Sequence, residues 1–415
     1  MTGLAPTPPA TGEPTVPVGR GWMVALGLAN LGAFAAFFGP LQVLLAQQAE
    51  ELAPGQKEAT LALVTGVGAM VSLLANPMWG ALSDRTTSRF GRRRPWVVGG
   101  ALCGAAALLA LAGVRDVALM VLAWALVQAS VNAAFAAVMA AIPDRVPRVQ
   151  RGIVGGTVAL AQTLGAMIGT GLALLTGSWA TGYAACAVFL VLSCLPYGIG
   201  RGTDSPATAA RSPLRVGAFL RDFWVDPRSY PDFAWAWFTR FLVHVGNALG
   251  LVYLYYFLDD AVGHDDPEGG VFLLTLLYSL ASVATALLAG KASDRVGRRK
   301  PFVTTSGVVM AVATALLALV PVWPVVVRAA VVLGAGFGVF IAVDYALMTE
   351  VLPRADDAGR DLGVINIASA LPQVLAPVVA APVVTVLGGY PMLYALAAAS
   401  VLLGALLVRR IRGVA

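Results

Sequence analysis

The sequence predicts an all-α membrane protein: twelve transmembrane helices, arranged as two six-helix pseudo-symmetric bundles around a central cavity. Three observations carry that expectation. Hydrophobic residues make up 58% of the 415 and charged residues only 12%, roughly half the charged share of a soluble domain. The apolar residues gather into twelve runs, each near the ~20 residues that cross a bilayer as a helix. Third, one basic turn occurs twice. Gly80-Ala-Leu-Ser-Asp84-Arg85-Thr-Thr-Ser-Arg89-Phe-Gly91-Arg92-Arg93-Arg94-Pro95 is echoed by Gly290-Lys-Ala-Ser-Asp294-Arg295-Val-Gly297-Arg298-Arg299-Lys300-Pro301, and Gly91 and Gly297 are 206 residues apart. Duplication at half the chain length points to two parallel repeats.

Residues 1–20, rich in Pro, Thr and Gly, are expected to be a disordered cytoplasmic tail without a signal peptide. The N-terminal bundle, 21–200, holds spans at 22–47, 59–82, 95–113, 117–142, 152–176 and 180–200. A polar and basic stretch at 201–230 is the expected cytoplasmic linker, with Phe219, Phe223 and Trp224 near its end as candidates for a short interfacial helix. The C-terminal bundle, 231–412, holds spans at 231–258, 270–290, 301–320, 322–351, 361–387 and 390–409. The third and fourth spans, like the ninth and tenth, are joined so closely that each pair must form an antiparallel hairpin.

Charge placement sets the expected topology. With the N-terminus inside, 24 of the 28 Lys and Arg fall in inner segments; Lys57, Arg115 and Arg328 lie outside and Arg240 within a span. This asymmetry predicts a multi-pass protein of the inner or plasma membrane with both termini cytoplasmic. The net charge of +6 is spread over short loops, with no basic face for nucleic acid. Cys103, Cys186 and Cys194 sit inside apolar runs without metal-ligand spacing, so neither a disulfide framework nor a metal is expected. No nucleophile elbow, P-loop or HExxH motif is present, which argues against an enzyme, and no cofactor is expected.

Six spans plus six, inner termini, a central basic loop and the Gly-x-x-x-Asp-Arg…Gly-Arg-Arg turn after the second and eighth spans together resemble the major facilitator superfamily. The wording of residues 83–95 looks most like the sucrose/proton symporters and their glycoside–cation symporter relatives. Gly80 and Gly290 read as places where a neighbouring helix approaches closely. Asp84 and Asp294 stand at helix ends where they can accept charge-assisted bonds. The resemblance implies that this aspartate latches the two halves on the cytoplasmic side, with Arg85, Arg295 and Arg298 in the same turns. Asp144-x6-Arg151 after the fourth span matches the family's acid-x6-Arg pattern and could pair with Arg92 or Arg93. Its counterpart departs, because after Glu350 and six intervening residues comes Asp357, where the pattern has Arg, and Arg360 comes late.

Ionisable residues at membrane depth are costly and mark function by default. Arg240 lies nine residues past Pro231 and Asp344 nine before Pro353, so each should sit about 13 Å in from the same face. The resemblance implies that the first, fourth, seventh and tenth spans line the cavity, where Arg240 and Asp344 are expected to face each other; protonation of Asp344 would then release Arg240. His244 and Asn247 follow Arg240 on one helix face. Asn366, Ser369 and Gln373 repeat that spacing on the eleventh span, and Thr275, Tyr278 and Ser282 on the eighth. Gln128 and Asn132 pair on the fourth, while Asn30 and Gln162 stand singly on the first and fifth. These groups are the candidate lining of a small-molecule pocket, with interhelical hydrogen bonding as the plainer alternative. Gly165-x3-Gly169 on the fifth span reads as close helix packing.

The function these features predict is secondary active transport of a small polar, sugar-like organic solute by alternating access. Protons are the expected coupling ion, and the bilayer is the only other partner of a protein expected to act as a monomer. Efflux of a drug or natural product is the alternative, favoured if the cavity is aromatic and aliphatic rather than polar.

Overall fold

A computed structural model describes residues 14–147, 150–200, 228–296, 298–351 and 358–412. The expected linker helix within 201–227, the tail before residue 14 and Asp357 lie outside them. The described residues form twelve long helices: α1 (Arg20–Leu52), α2 (Lys57–Arg85), α3 (Arg94–Gly113), α4 (Val117–Arg145), α5 (Arg151–Leu175), α6 (Trp179–Ile199), α7 (Pro231–Val252, continued after a bend as Leu254–Val262), α8 (Pro267–Val296), α9 (Lys300–Leu319), α10 (Trp323–Glu350), α11 (Ala358–Pro382) and α12 (Gly389–Leu407). Helix is the form such apolar stretches can take in lipid, because it satisfies every backbone N–H and C=O within the segment. Helix starts are marked locally. Asp116 caps α4 by accepting from the Leu119 N–H at 3.0 Å, and proline occupies the first turn of α3, α7, α9 and α10. Between α2 and α3 the chain turns at Gly91, whose φ of 99° suits a residue without a side chain. Leu74, Leu102, Leu109, Val188 and Leu287 are exposed, the reverse of a soluble protein and the signature of a lipid-facing surface.

The pairings within one half repeat in the other. In the N-terminal bundle α1 packs on α5 and α6, α2 on α4, and α3 on α4 and α6; in the C-terminal bundle α7 packs on α11 and α12, α8 on α10, and α9 on α10 and α12. Between halves, α2 meets α11 and α5 meets α8. Without a hydrophobic drive between helices in lipid, these contacts depend on close backbone approach. Gly169 on α5 illustrates it: a Cβ there would stand 2.5 Å from the Ala35 carbonyl oxygen and 2.8 Å from the Gly39 nitrogen of α1. Gly169→Val should therefore lower stability by about 1–3 kcal/mol through overpacking. Gly156→Val, where a Cβ meets nothing within 4 Å, is the matched control. Thermal denaturation in detergent checks this, and equal melting of the two variants would reject the packing argument.

Candidate functional site

At the centre of the C-terminal bundle α7 and α10 bring Arg240 and Asp344 together. The two side chains form an ion pair while only 7% and 1% exposed. Arg240 also donates from Nε to the Ser369 hydroxyl of α11 at 2.8 Å, so one guanidinium ties three helices. A charge alone at this depth would be strongly disfavoured; the partner and the hydroxyl offset that cost. One turn further along α7, His244 Nδ1 lies 2.9 Å from the Arg240 carbonyl oxygen. A carbonyl can only accept, so Nδ1 is the donor in this contact. The imidazole meets Phe337 and Phe340 edge-on, each at 6.0 Å. Asn247, the next turn along, donates to the Tyr278 hydroxyl of α8 at 2.9 Å.

Beside this stripe, between the two halves, lies a cavity of about 320 Å³. Its walls include Phe34, Phe38 and Gln42 of α1, Gln162 of α5, Asn247 and Leu254 of α7, Thr275 and Tyr278 of α8, and Phe337 of α10. Of the residues expected to line it from the sequence, Gln162 and Asn247 do, as do Thr275 and Tyr278. Arg240, His244 and Asp344 sit next to it rather than on its wall.

Other candidates lie elsewhere, and the cavity placement is corrected for them. Gln128 and Asn132 face α2: the Asn132 amide donates to the Ser72 hydroxyl at 2.8 Å and accepts from Asn76 at 3.2 Å. They join helices, the plainer of the two readings. Asn30 is buried and donates to the Leu26 carbonyl of its own helix at 3.0 Å. Gln373 is exposed and off the cavity wall, and the side chain of Asn366 lies outside the described residues. Sequence reasoning missed Gln42. Its signal was Pro40 within an apolar span: lacking an N–H, proline opens the helix into a wide turn, Pro40–Leu44, in which the Leu45 N–H reaches back to the Pro40 carbonyl.

The end of the bundle that carries the basic turns holds a second polar cluster. Arg93, 2% exposed, pairs with Asp84 and Asp144 and donates to Ser83. Arg92 pairs with Asp144 at 2.5 Å. All of these belong to the N-terminal half. The ion pair of Asp84 described here thus braces the turn inside its own half, where a bond across the halves was expected of the latch. Arg151 donates to the Val146 carbonyl at 3.2 Å, and Arg85, Arg295 and Arg298 are exposed. A Cβ on Gly80 would meet nothing within 4 Å among the described residues, which corrects the expected close approach there. The surroundings of Gly290 and the side chain of Asp294 lie outside the described residues.

The opposite end is where the halves are tied together. Lys57 of α2 stands 2.9 Å from Glu50 and 2.9 Å from Asp260 beyond the α7 bend. Tyr253 donates to the Glu58 carbonyl at 2.7 Å and Tyr256 to the Ala46 carbonyl at 2.9 Å. Gln47 donates to Glu268, and Tyr390 holds Asp260 at 2.6 Å.

A two-lobed helical bundle with a cavity at its seam, its halves tied together at one end, and an ion pair buried beside that cavity defines a membrane transporter rather than an enzyme. The family model of the Major Facilitator Superfamily matches residues 23–274 and again 237–414, and the chain belongs to that family. Among solved structures it is similar to a peptide transporter in complex with sulfate, at 15% identity with 96% of each chain covered and a TM-score of 0.76. A mutant of a peptide transporter in complex with alafosfalin matches at 16% identity over 94% of each chain, with a TM-score of 0.76. A mutant nucleoside transporter matches at 14% identity, covering 94% of this chain and 99% of that one, with a TM-score of 0.74. No curated protein sequence matches the chain.

Proposed function

We propose that this protein is a proton-coupled secondary active transporter that moves a small organic solute by alternating access. The observation that carries the reading is the buried Arg240–Asp344 pair beside a cavity shared by both halves. Protonation of Asp344 removes its charge and frees Arg240, and the C-terminal bundle then no longer has a reason to hold α7, α10 and α11 in their present arrangement. Positive-inside bias supports placing the arginine-rich turns and both termini in the cytoplasm. The tied end is then the outer one, and the cavity exchanges with the cytoplasm when the basic turns part. Arg93, Asp84 and Asp144 act as the rigid brace on which that end moves, and the protein works as a monomer.

The solute has both polar and apolar surface. A sugar-like molecule is supported by the turn at 83–95 and by Gln42, Gln162 and Asn247 on the wall. The second reading, a drug or natural product, is supported by the aromatic and aliphatic remainder of the lining. The structural neighbours carry peptides and nucleosides, so the fold alone does not select the solute. The test is uptake into reconstituted vesicles across an imposed pH gradient, with sugars and aryl glycosides set against hydrophobic cations. Accumulation that follows the gradient and collapses with a protonophore is expected; accumulation indifferent to both would reject proton coupling.

A further inference from the structure

Gln42 is held in an unusual way for a cavity residue. Its side-chain oxygen accepts from the Thr275 hydroxyl of α8 at 3.1 Å and, at 2.7 Å, shares the single proton of the Thr170 hydroxyl of α5 with the Ala166 carbonyl oxygen 2.9 Å away, so it is held from each half of the protein. With the oxygen fixed on both sides, the amide nitrogen has no partner among the described residues and belongs to a side chain on the cavity wall. The wide turn at Pro40–Leu44 displaces this position from ordinary helical register. Next to it on α1, Phe34 and Phe38 lie stacked at 5.7 Å and present an apolar platform. None of the described residues lining the cavity carries a formal charge, and Arg240 and Asp344 beside it are paired with one another.

We infer that Gln42 is the specificity-determining anchor of the solute site, donating its amide N–H to an oxygen acceptor on an uncharged, amphipathic ligand whose apolar part rests on Phe34 and Phe38. This rests on the transport reading above and narrows its solute class. A charged ligand would exchange its hydration for a wall without counter-charge, which is costly. The anchor is also conformation-dependent. Thr275 aims the amide only while α8 lies against α1, so separation of the halves at the tied end releases the amide and weakens its hold on the ligand.

The test is equilibrium binding to the purified full chain in detergent, read as protection against thermal denaturation, with a matched probe series: phenyl glucoside, the anionic phenyl glucuronide and, at mildly acidic pH, the cationic phenyl glucosaminide. The glucoside should bind at least about tenfold more tightly than either charged member. Gln42→Ala should weaken the glucoside about tenfold, the upper range of one neutral hydrogen bond, and Thr275→Val about threefold. Gln42→Glu should shift preference toward the glucosaminide, a gain that a merely misfolded variant would not show. Tightest binding of a charged member, binding of none of the three, or a Gln42→Ala protein that binds the glucoside unchanged would each overturn the inference. Binding needs no gradient, so a chain that ranks the probes as expected but fails to accumulate them would reject proton coupling alone.

Discussion

Asp344→Asn is expected to abolish uphill solute accumulation while leaving solute exchange across the membrane intact. The amide has the size of the carboxyl group and the neutrality of its protonated form, so it holds the protein in the released state and can no longer bind or yield a proton. Arg240 keeps its charge in an apolar interior with only the Ser369 hydroxyl at 2.8 Å. Removing one partner of a buried pair costs about 3–5 kcal/mol, so the variant should also melt well below the native protein. The combined Arg240→Met, Asp344→Leu protein separates the two consequences. Replacing both ions by apolar groups of similar volume is often neutral for stability, so it should regain most of the lost melting temperature and none of the accumulation. Gradient-driven uptake and counterflow in the same vesicles make the distinction. Uphill accumulation by the Asp344→Asn protein would remove the proposed engine.

Lys57→Ala is expected to open the tied end. Lys57 is the cation among Glu50, Asp259 and Asp260, at 2.9, 3.7 and 2.9 Å, and stands 4.8 Å from the centre of the Tyr256 ring. Two of its anionic partners come from the opposite half. Without it three carboxylates face one another at the seam, and their repulsion adds to the loss of attraction. The acids are about a third exposed or more, which discounts each pair. Taken with the lost charge-assisted bonds, the shift should be roughly 2 kcal/mol, or about thirtyfold in the ratio of open to closed forms. A Ser279→Cys reporter on the cavity wall, in a Cys103→Ser background, should react correspondingly faster with a membrane-impermeant maleimide added from that side. Lys57→Arg should retain the native rate. An unchanged rate in Lys57→Ala would show that the tyrosine and glutamine bonds close this end without the lysine.

Much of this architecture is a property of local sequence. Span positions are set by hydropathy and by prolines at helix starts, so the seventh and tenth spans, with Arg240 and Asp344 at matching depth, are legible by counting from Pro231 and Pro353. The repeat of the basic turn likewise reveals two halves before any packing is known. Burial of opposite charges in lipid leaves few arrangements other than a pair, which is why that contact could be expected from residue types alone.

The rotation of each helix about its own axis is a different matter, because it is decided by neighbours. Gln128 and Asn132 are as polar as Gln162, yet α4 turns them onto Ser72 and Asn76 of α2, while α5 turns Gln162 into the cavity. Gln42 gains its place from a wide turn and from two threonines distant in the chain. Asp84 pairs with Arg93 of its own turn, and a Cβ on Gly80 would meet nothing within 4 Å among the described residues; neither follows from the composition of the turn. The sequence by itself therefore determined how many helices cross the membrane, where they begin and which charges must be paired. Only the tertiary structure decided which polar groups face the cavity and at which end the halves are tied together, since both depend on contacts between segments whose own composition is indifferent to them.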